Sequence, residues 1–264
     1  MAHLVGIVSG KGGVGKTTTA INLGLALTKY GRDTLVLDGN IFAPNLGLYL
    51  GVPFLPITLH DAIQGKNHIT EAAYLHPVGL KIIPSALSFA SFQNVDYKKL
   101  SEVLQELKQY GEIILVDTYA ELGKESASVI KAVDKVLVVT NPDLPSMTDA
   151  LRAVKVSEKL GKEVIGVVVN KVKNDKFEMS VDNIRTFLGK PVYGVIRYDE
   201  NAVRAVHLKQ PLLVSHPDSK ATEDFYALAA NLIGKKQEAK AEDREQNEST
   251  EDEERLGVHE LFNL

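Results

Sequence analysis

The sequence predicts an α/β protein: a single doubly wound, mostly parallel sheet with helices on both faces. Three observations predict it. Apolar runs rich in Val, Ile and Leu alternate with stretches of helical period, as expected of strands buried on both faces and joined by crossover helices. A glycine-rich stretch, Gly10 to Thr18, falls between the first apolar run and the first helical stretch. Asp38, Asp117, Asn141 and Asn170 all fall at the ends of apolar runs, where open parallel sheets bind their ligands.

Taken in order, the strands are expected at Leu4 to Ser9, Thr34 to Asp38, Leu80 to Pro84, Ile113 to Asp117, Lys135 to Thr140, Val164 to Asn170 and Val192 to Ile196. Each is a short, β-branched, nearly continuous apolar run, the signature of a strand covered on two sides. Helices are expected between most of them: Lys16 to Tyr30, Tyr97 to Tyr110, Lys124 to Val133, Ser146 to Leu160, Lys176 to Leu188 and Ala221 to Ile233. Ser146 with Asp149 three positions later can form a capping box.

Gly10 to Thr18 reads Gly-Lys-Gly-Gly-Val-Gly-Lys-Thr-Thr, and Gly10, Gly15, Lys16 and Thr17 meet the pattern G-x-x-x-x-G-K-[ST]. Glycines at 10, 12, 13 and 15 let successive backbone N–H groups turn toward an anion, and the following helix adds the positive end of its dipole. The stretch Gly10, Lys11, Gly12, Gly13, Val14, Gly15, Lys16, Thr17 and Thr18 is therefore expected to hold the triphosphate of ATP. Lys16 would reach the β and γ phosphates, and the Thr17 hydroxyl would ligate Mg²⁺. The competing reading is a glycine-rich turn that happens to end in Lys-Thr. Asp117 ends Ile113-Ile114-Leu115-Val116-Asp117 in the manner of a Walker B strand, whose carboxylate holds a Mg²⁺-bound water. Asp38 ends Leu35-Val36-Leu37-Asp38 in the same way.

Lysine at position 11, within K-G-G-V-G-K-T-T, resembles the deviant Walker A group that includes the MinD and ParA ATPases. The resemblance covers about residues 3 to 234 and implies an ATP-dependent homodimer in which Lys11 crosses to the partner's phosphates. It assigns Lys11, Lys16, Asp38 and position 40 to catalysis, and Thr17, Asp38 and Asp117 to Mg²⁺. It also implies that Asn170, ending Val167-Val168-Val169-Asn170, pairs with the adenine edge. Arg197 stands in the base-binding segment where relatives often carry proline. Asn141-Pro142-Asp143 resembles the family segment that precedes a helix at the dimer face.

Two departures bear on mechanism. Relatives read D-x-D at the first switch, but here Asp38-Gly39-Asn40 ends in an amide. An amide can orient water through its carbonyl but cannot take its proton, so slow or absent hydrolysis with intact ATP binding is expected. After Asp117, relatives commonly read D-x-P-A-G, whereas this chain reads Asp117-Thr118-Tyr119-Ala120-Glu121. If position 121 required positive φ, glutamate would be strained there. A rewired switch, a new catalytic carboxylate and a solvent-pointing side chain all stay open for Glu121.

Cysteine is absent from the 264 residues, which excludes thiol nucleophiles, cysteine zinc clasps and cysteine-held iron–sulfur clusters. No run is long enough for a membrane-spanning helix, and Met1-Ala2-His3 leads directly into a strand without a signal peptide, so a cytoplasmic protein is expected. The sequence divides into an ATPase domain at 1–234, an acidic linker at 235–255 and a short apolar tip at 256–264. The last 30 residues carry 5 Lys or Arg and 10 Asp or Glu, leaving the first 234 at 25 against 24. A near-neutral core and an acidic tail disfavour DNA as a partner. Val258, Leu261 and Phe262 fall at i, i+3, i+4 in the tip. A protein-docking peptide, a weak membrane anchor at the cell periphery and an untethered tail are the three readings there. The biological reading is a MinD-like switch for spatial positioning. A metabolic ligase on the same fold, a hydrolysis-impaired scaffold and a ParA-like partitioning ATPase are its alternatives.

Overall fold

The computed structural model describes residues 2–88 and 95–235. The tip and all of the linker beyond Lys235 lie outside the described residues. The strands are β1 His3–Val8, β2 Thr34–Asp38, β3 Tyr74–Leu75, β4 Lys81–Ile83, β5 Ile113–Asp117, β6 Lys135–Thr140, β7 Glu163–Val172 and β8 Val192–Arg197. They form one sheet in the order β3-β4-β2-β5-β1-β6-β7-β8. All neighbours are parallel except the short edge pair β3 and β4. β1 lies between β5 and β6; the chain leaves it toward β2 and later crosses to β6, so the winding direction reverses beside β1. Such a reversal opens a crevice at the carboxyl ends of the strands.

The helices are α1 Lys16–Lys29, α2 Leu46–Tyr49, α3 Leu59–Ile63, α4 Tyr97–Glu106, α5 Lys124–Ala132, α6 Leu144–Lys159, α7 Val181–Leu188, α8 Glu200–His207, α9 Leu212–Ser215 and α10 Lys220–Leu232. Strand alternation sorts the core into two layers. Leu4, Val8, Ile114, Val116, Val136 and Val138 pack with α3 to α7, while Val5, Ile7, Leu115, Leu137 and Val139 pack with α1 and α8 to α10. In α4 the buried residues Leu100, Val103, Leu104 and Leu107 repeat at i, i+3, i+4, i+7 into the start of a short 3₁₀ turn. Each such side chain contributes about 1.5–3 kcal/mol through burial.

The expected long elements are present, with instructive differences at their ends. α6 begins at Leu144, because the Asp143 side chain accepts from the Ser146 backbone N–H at 2.9 Å and Pro145 occupies the first turn. The expected Ser146–Asp149 box is not formed, and Asp149 pairs with Arg152 instead. α7 starts at Val181 rather than near Lys176, because the Glu178 carboxylate accepts from the backbone N–H groups of Lys173 and Asp175 and folds that stretch into a loop. β7 continues to Val172 through a register irregularity, with Lys171 at φ 60. The sequence reading omitted α2, α3, α9 and β3, each too short to show a clear apolar period, and α8, which matches α7 in length.

Candidate functional site

The phosphate loop joins β1 to α1 at the crevice. Gly15 has φ 98 and ψ 28, and Gly13 has φ 77, both in the left-handed region that glycine reaches without a Cβ clash. No side chain caps α1 and no acid lies in its first turn, so its leading N–H groups and dipole remain available to an anion. Gly10 serves packing instead: a Cβ there would lie 2.2 Å from the Asp149 carbonyl oxygen of α6. Lys16 is buried and its Nζ donates to Ser9 Oγ at 2.8 Å, while Ser9 Oγ donates to the Lys11 carbonyl at 2.8 Å. Burial lowers the Lys16 pKa below the usual lysine value, against the attraction of Asp117.

Asp38 and Asp117 are register partners on neighbouring strands β2 and β5. Both are buried, and burial raises both carboxyl pKa values; the charge of Asp117 pushes Asp38 up further. Thr17 Oγ1 donates to Asp117 Oδ2 at 2.5 Å, and the other oxygen, Oδ1, is buried with no hydrogen-bond partner. Thr17, the charge of Lys16 and the Thr118 backbone offset part of the cost of burying Asp117 beside a second carboxyl, and a further cation would offset more. A hydroxyl and a carboxylate oxygen are hard donors of the kind Mg²⁺ accepts, so Thr17 and Asp117 fit such an ion.

The geometry shows what three of the expected site residues hold. Asp38, expected to ligate metal, accepts from the backbone with both of its oxygens. Oδ1 accepts from Asn40 N–H at 3.1 Å, and Oδ2 accepts from Asn45 and Leu46 N–H at 3.0 Å each. Its place is that of a cap closing the loop 38–46. Asn40 was expected to face a water, but its amide Nδ2 donates to the Ala43 carbonyl and its Oδ1 accepts from the Ala43 N–H. This reciprocal clip occupies the side chain within its own loop. Arg197 lines the cavity, yet its guanidinium is turned onto Asp224, Glu223 and the Lys220 carbonyl, so the side chain is bound to protein rather than presented to a nucleotide.

The crevice holds a cavity of about 370 Å³, lined at one end by Gly13, Gly15, Lys16, Thr17 and Thr18 and at the other by Tyr198, Val203 and Phe225. Asn170 lies between. Its Nδ2 donates to the Val14 carbonyl at 2.8 Å, its Oδ1 accepts from Lys171 N–H at 2.9 Å, and Lys171 Nζ donates to the Gly13 carbonyl at 2.6 Å. The pair thereby clasps the loop by two successive carbonyls. Gly10, Lys11, Gly12 and Val14 do not line the cavity. Burial is the largest single influence on the Asp143 carboxyl pKa and raises it, but the hydrogen bonds from Ser146 and the charge of exposed Lys11 nearby together bring it below the usual value. Glu121 is exposed and is not at positive φ. It is therefore unstrained, and its carbonyl accepts from Ser126 Oγ at 2.6 Å.

The CobQ/CobB/MinD/ParA nucleotide binding domain model matches residues 5–212. The chain belongs to that family. An uncharacterized ATP-binding protein of Methanocaldococcus jannaschii is 39% identical over 247 residues, covering 94% of each chain. The cell division ATPase MinD of Pyrococcus furiosus superposes with a TM-score of 0.85 at 31% identity, over 89% of this chain and 99% of that one. The septum site-determining protein MinD of Pyrococcus horikoshii, solved in complex with Mg-ADP, gives a TM-score of 0.84 at 31% identity, over 88% and 96%.

Within this MinD/ParA-family domain, sequence reasoning passed over Lys171, Tyr49 and Asp224. Lys171 follows Asn170 directly, and a cation one residue from a strand-end amide is the signal that could have found it. Tyr49 lines the cavity, and its phenol pKa is raised by burial and then by Asp117. Its place depends on the short helix α2, which left no periodic trace. Asp224 acts across the fold, 27 residues from Arg197, and no local pattern marks it.

Proposed function

We propose that this chain is a MinD-like switch: it binds ATP with Mg²⁺, closes as a pair of copies around the nucleotide, hydrolyses slowly, and serves spatial positioning at a division site or a cell-surface apparatus. The observation that carries this reading is the convergence of two features on one crevice: the uncapped start of α1 with its left-handed glycines, and the Thr17–Asp117 pair with an unpartnered carboxylate oxygen. The Mg-ADP complex of the Pyrococcus horikoshii relative supports the ligand.

Thr17 and Asp117 would hold Mg²⁺, and Lys16, already buried at the loop, would meet the terminal phosphates. When bound, the ion supplies positive charge against the triphosphate. Asn170 and Lys171 keep the carbonyls of Gly13 and Val14 turned outward, which leaves the loop N–H groups for the anion. Lys11, exposed and outside its own chain's cavity, would serve a second copy. Slow hydrolysis follows from Asn40, whose amide cannot accept a proton and is occupied by Ala43. Protein partners are proposed at the dimer surface or the C-terminal tip. Among the described residues no helix is long and apolar enough to cross a membrane.

Light scattering after size exclusion, with ATP, ADP or no nucleotide and Mg²⁺ throughout, tests the proposal. The wild type should dimerise with ATP alone, and Lys11→Ala should bind ATP yet remain monomeric. Failure to take up ATP, or a mass indifferent to nucleotide, would overturn it.

A further inference from the structure

The far end of the cavity is shaped by two walls that come from distant parts of the chain. One is the rim Arg197-Tyr198-Asp199, which starts on the last residue of β8, and the other is α10, which contributes Ala221 and Phe225, four residues apart on one face. The rim is short and has no ladder of its own beyond β8. Tyr198 N–H donates to the Val172 carbonyl at 2.8 Å, which secures it on the β7 side. Asp199 turns its carboxylate to Asn201 N–H at 2.8 Å as the cap of α8.

Lys173 Nζ lies 4.5 Å from the centre of the Tyr198 ring, and the attachment toward α10 is Asp224. Its Oδ2 accepts from the Arg197 backbone N–H at 2.8 Å and from Arg197 Nε at 2.9 Å. Its Oδ1 accepts from the guanidinium NH2 at 2.8 Å. The same nitrogen donates to the Lys220 carbonyl at 2.9 Å and to Glu223 at 3.2 Å. One residue of the rim is thus gripped by both main chain and side chain. The Asp224 side chain is 14% exposed and that of Arg197 36%, so this fork of charge-assisted bonds is partly shielded from water and stronger than a fully exposed pair.

We propose that the Arg197–Asp224 strut is the positioning device for the base end of the nucleotide cavity. It holds the rim 197–199 against α10, the two walls that line the cavity beyond Asn170, where the base of the nucleotide fits, and it makes no contact with the phosphates. The inference rests on the nucleotide reading above and deepens it by dividing the cavity into a phosphate end built by the loop and a base end built by this ion pair.

The division is tested with two probes, ATP and inorganic triphosphate, titrated calorimetrically into the full chain with Mg²⁺. Asp224→Asn and Arg197→Gln should each weaken ATP about tenfold, the loss of one strong charge-assisted hydrogen bond, while inorganic triphosphate changes less than about twofold on the same estimate. The double variant should lose no more than either single one, because both changes break one unit. Arg197→Lys keeps the charge but not the fork, and carries the same comparison if Asp224→Asn does not fold. Equal losses for both probes, additive losses, or unchanged ATP affinity would overturn the strut. A wild type that takes up neither probe overturns the nucleotide reading and the strut together, whereas wild-type uptake with unaffected variants overturns the strut alone.

Discussion

Replacing Asn40 by aspartate changes one atom and reverses the logic of the switch loop. The amide now donates to the Ala43 carbonyl and accepts from the Ala43 N–H at 3.2 Å, in a residue only 7% exposed. In Asn40→Asp the donor becomes an oxygen facing the carbonyl oxygen, so a hydrogen bond worth about 1 kcal/mol is lost and two acceptors are left opposed. The new carboxylate also joins Asp38, whose Oδ1 accepts the N–H of residue 40, in a buried site that already disfavours charge. Together these should cost the nucleotide-free protein about 2–3 kcal/mol. In exchange the loop gains a side chain that can leave its clip, orient water and take a proton, which should raise turnover about 10- to 100-fold. Urea unfolding without nucleotide measures the first effect, and phosphate release in a single turnover with Mg²⁺ measures the second. A variant as stable as the wild type with the same turnover would refute the reasoning, because neither the clip nor the missing base would then matter.

Lys171→Met removes the ammonium that holds the Gly13 carbonyl while keeping the stem; ATP affinity should fall about 5- to 10-fold in calorimetry, and unchanged affinity would mean the clasp does not order the loop. The Asp38 and Asp117 carboxyl pKa values are raised in the folded protein by burial, and Asp38 further by Asp117. The folded state therefore keeps protons that the unfolded chain releases. Their contribution to stability is full below about pH 4 and is lost as pH rises through the raised values. Melting temperature of the metal-free protein should decline across that span, with a shallower slope in Mg²⁺. Asp117→Asn removes a buried charge whose Oδ1 lacks a partner, so the metal-free protein should melt higher above pH 7 while Mg²⁺-dependent ATP uptake falls at least tenfold.

Legibility in the sequence followed the range of the interactions involved. The loop Gly10–Thr18 and the strand ends at Asp38 and Asp117 could be read directly, because a contiguous segment must supply backbone N–H groups in series and a continuous apolar run must end where its strand does. The roles at those positions were less legible. The bonds that Asp38 accepts from Asn40, Asn45 and Leu46 come from a loop with no periodic pattern to announce them. Arg197 could be placed beside the cavity, but the direction of its side chain depends on Asp224, brought near by the packing of α10 on β8.

By itself, then, the sequence determined the mostly parallel sheet with helices on both faces, the phosphate loop and the pair of strand-end carboxylates. Periodicity and contiguity encode those features within a few residues of one another. Tertiary structure alone decided which carboxylate oxygen lacks a partner, that Asn40 is tied to its own loop, and that Asn170 and Lys171 hold the carbonyls of Gly13 and Val14. Each of these depends on the orientation of a side chain against backbone or charge brought near by folding, and a hydrogen bond exists only where distance and direction are both met.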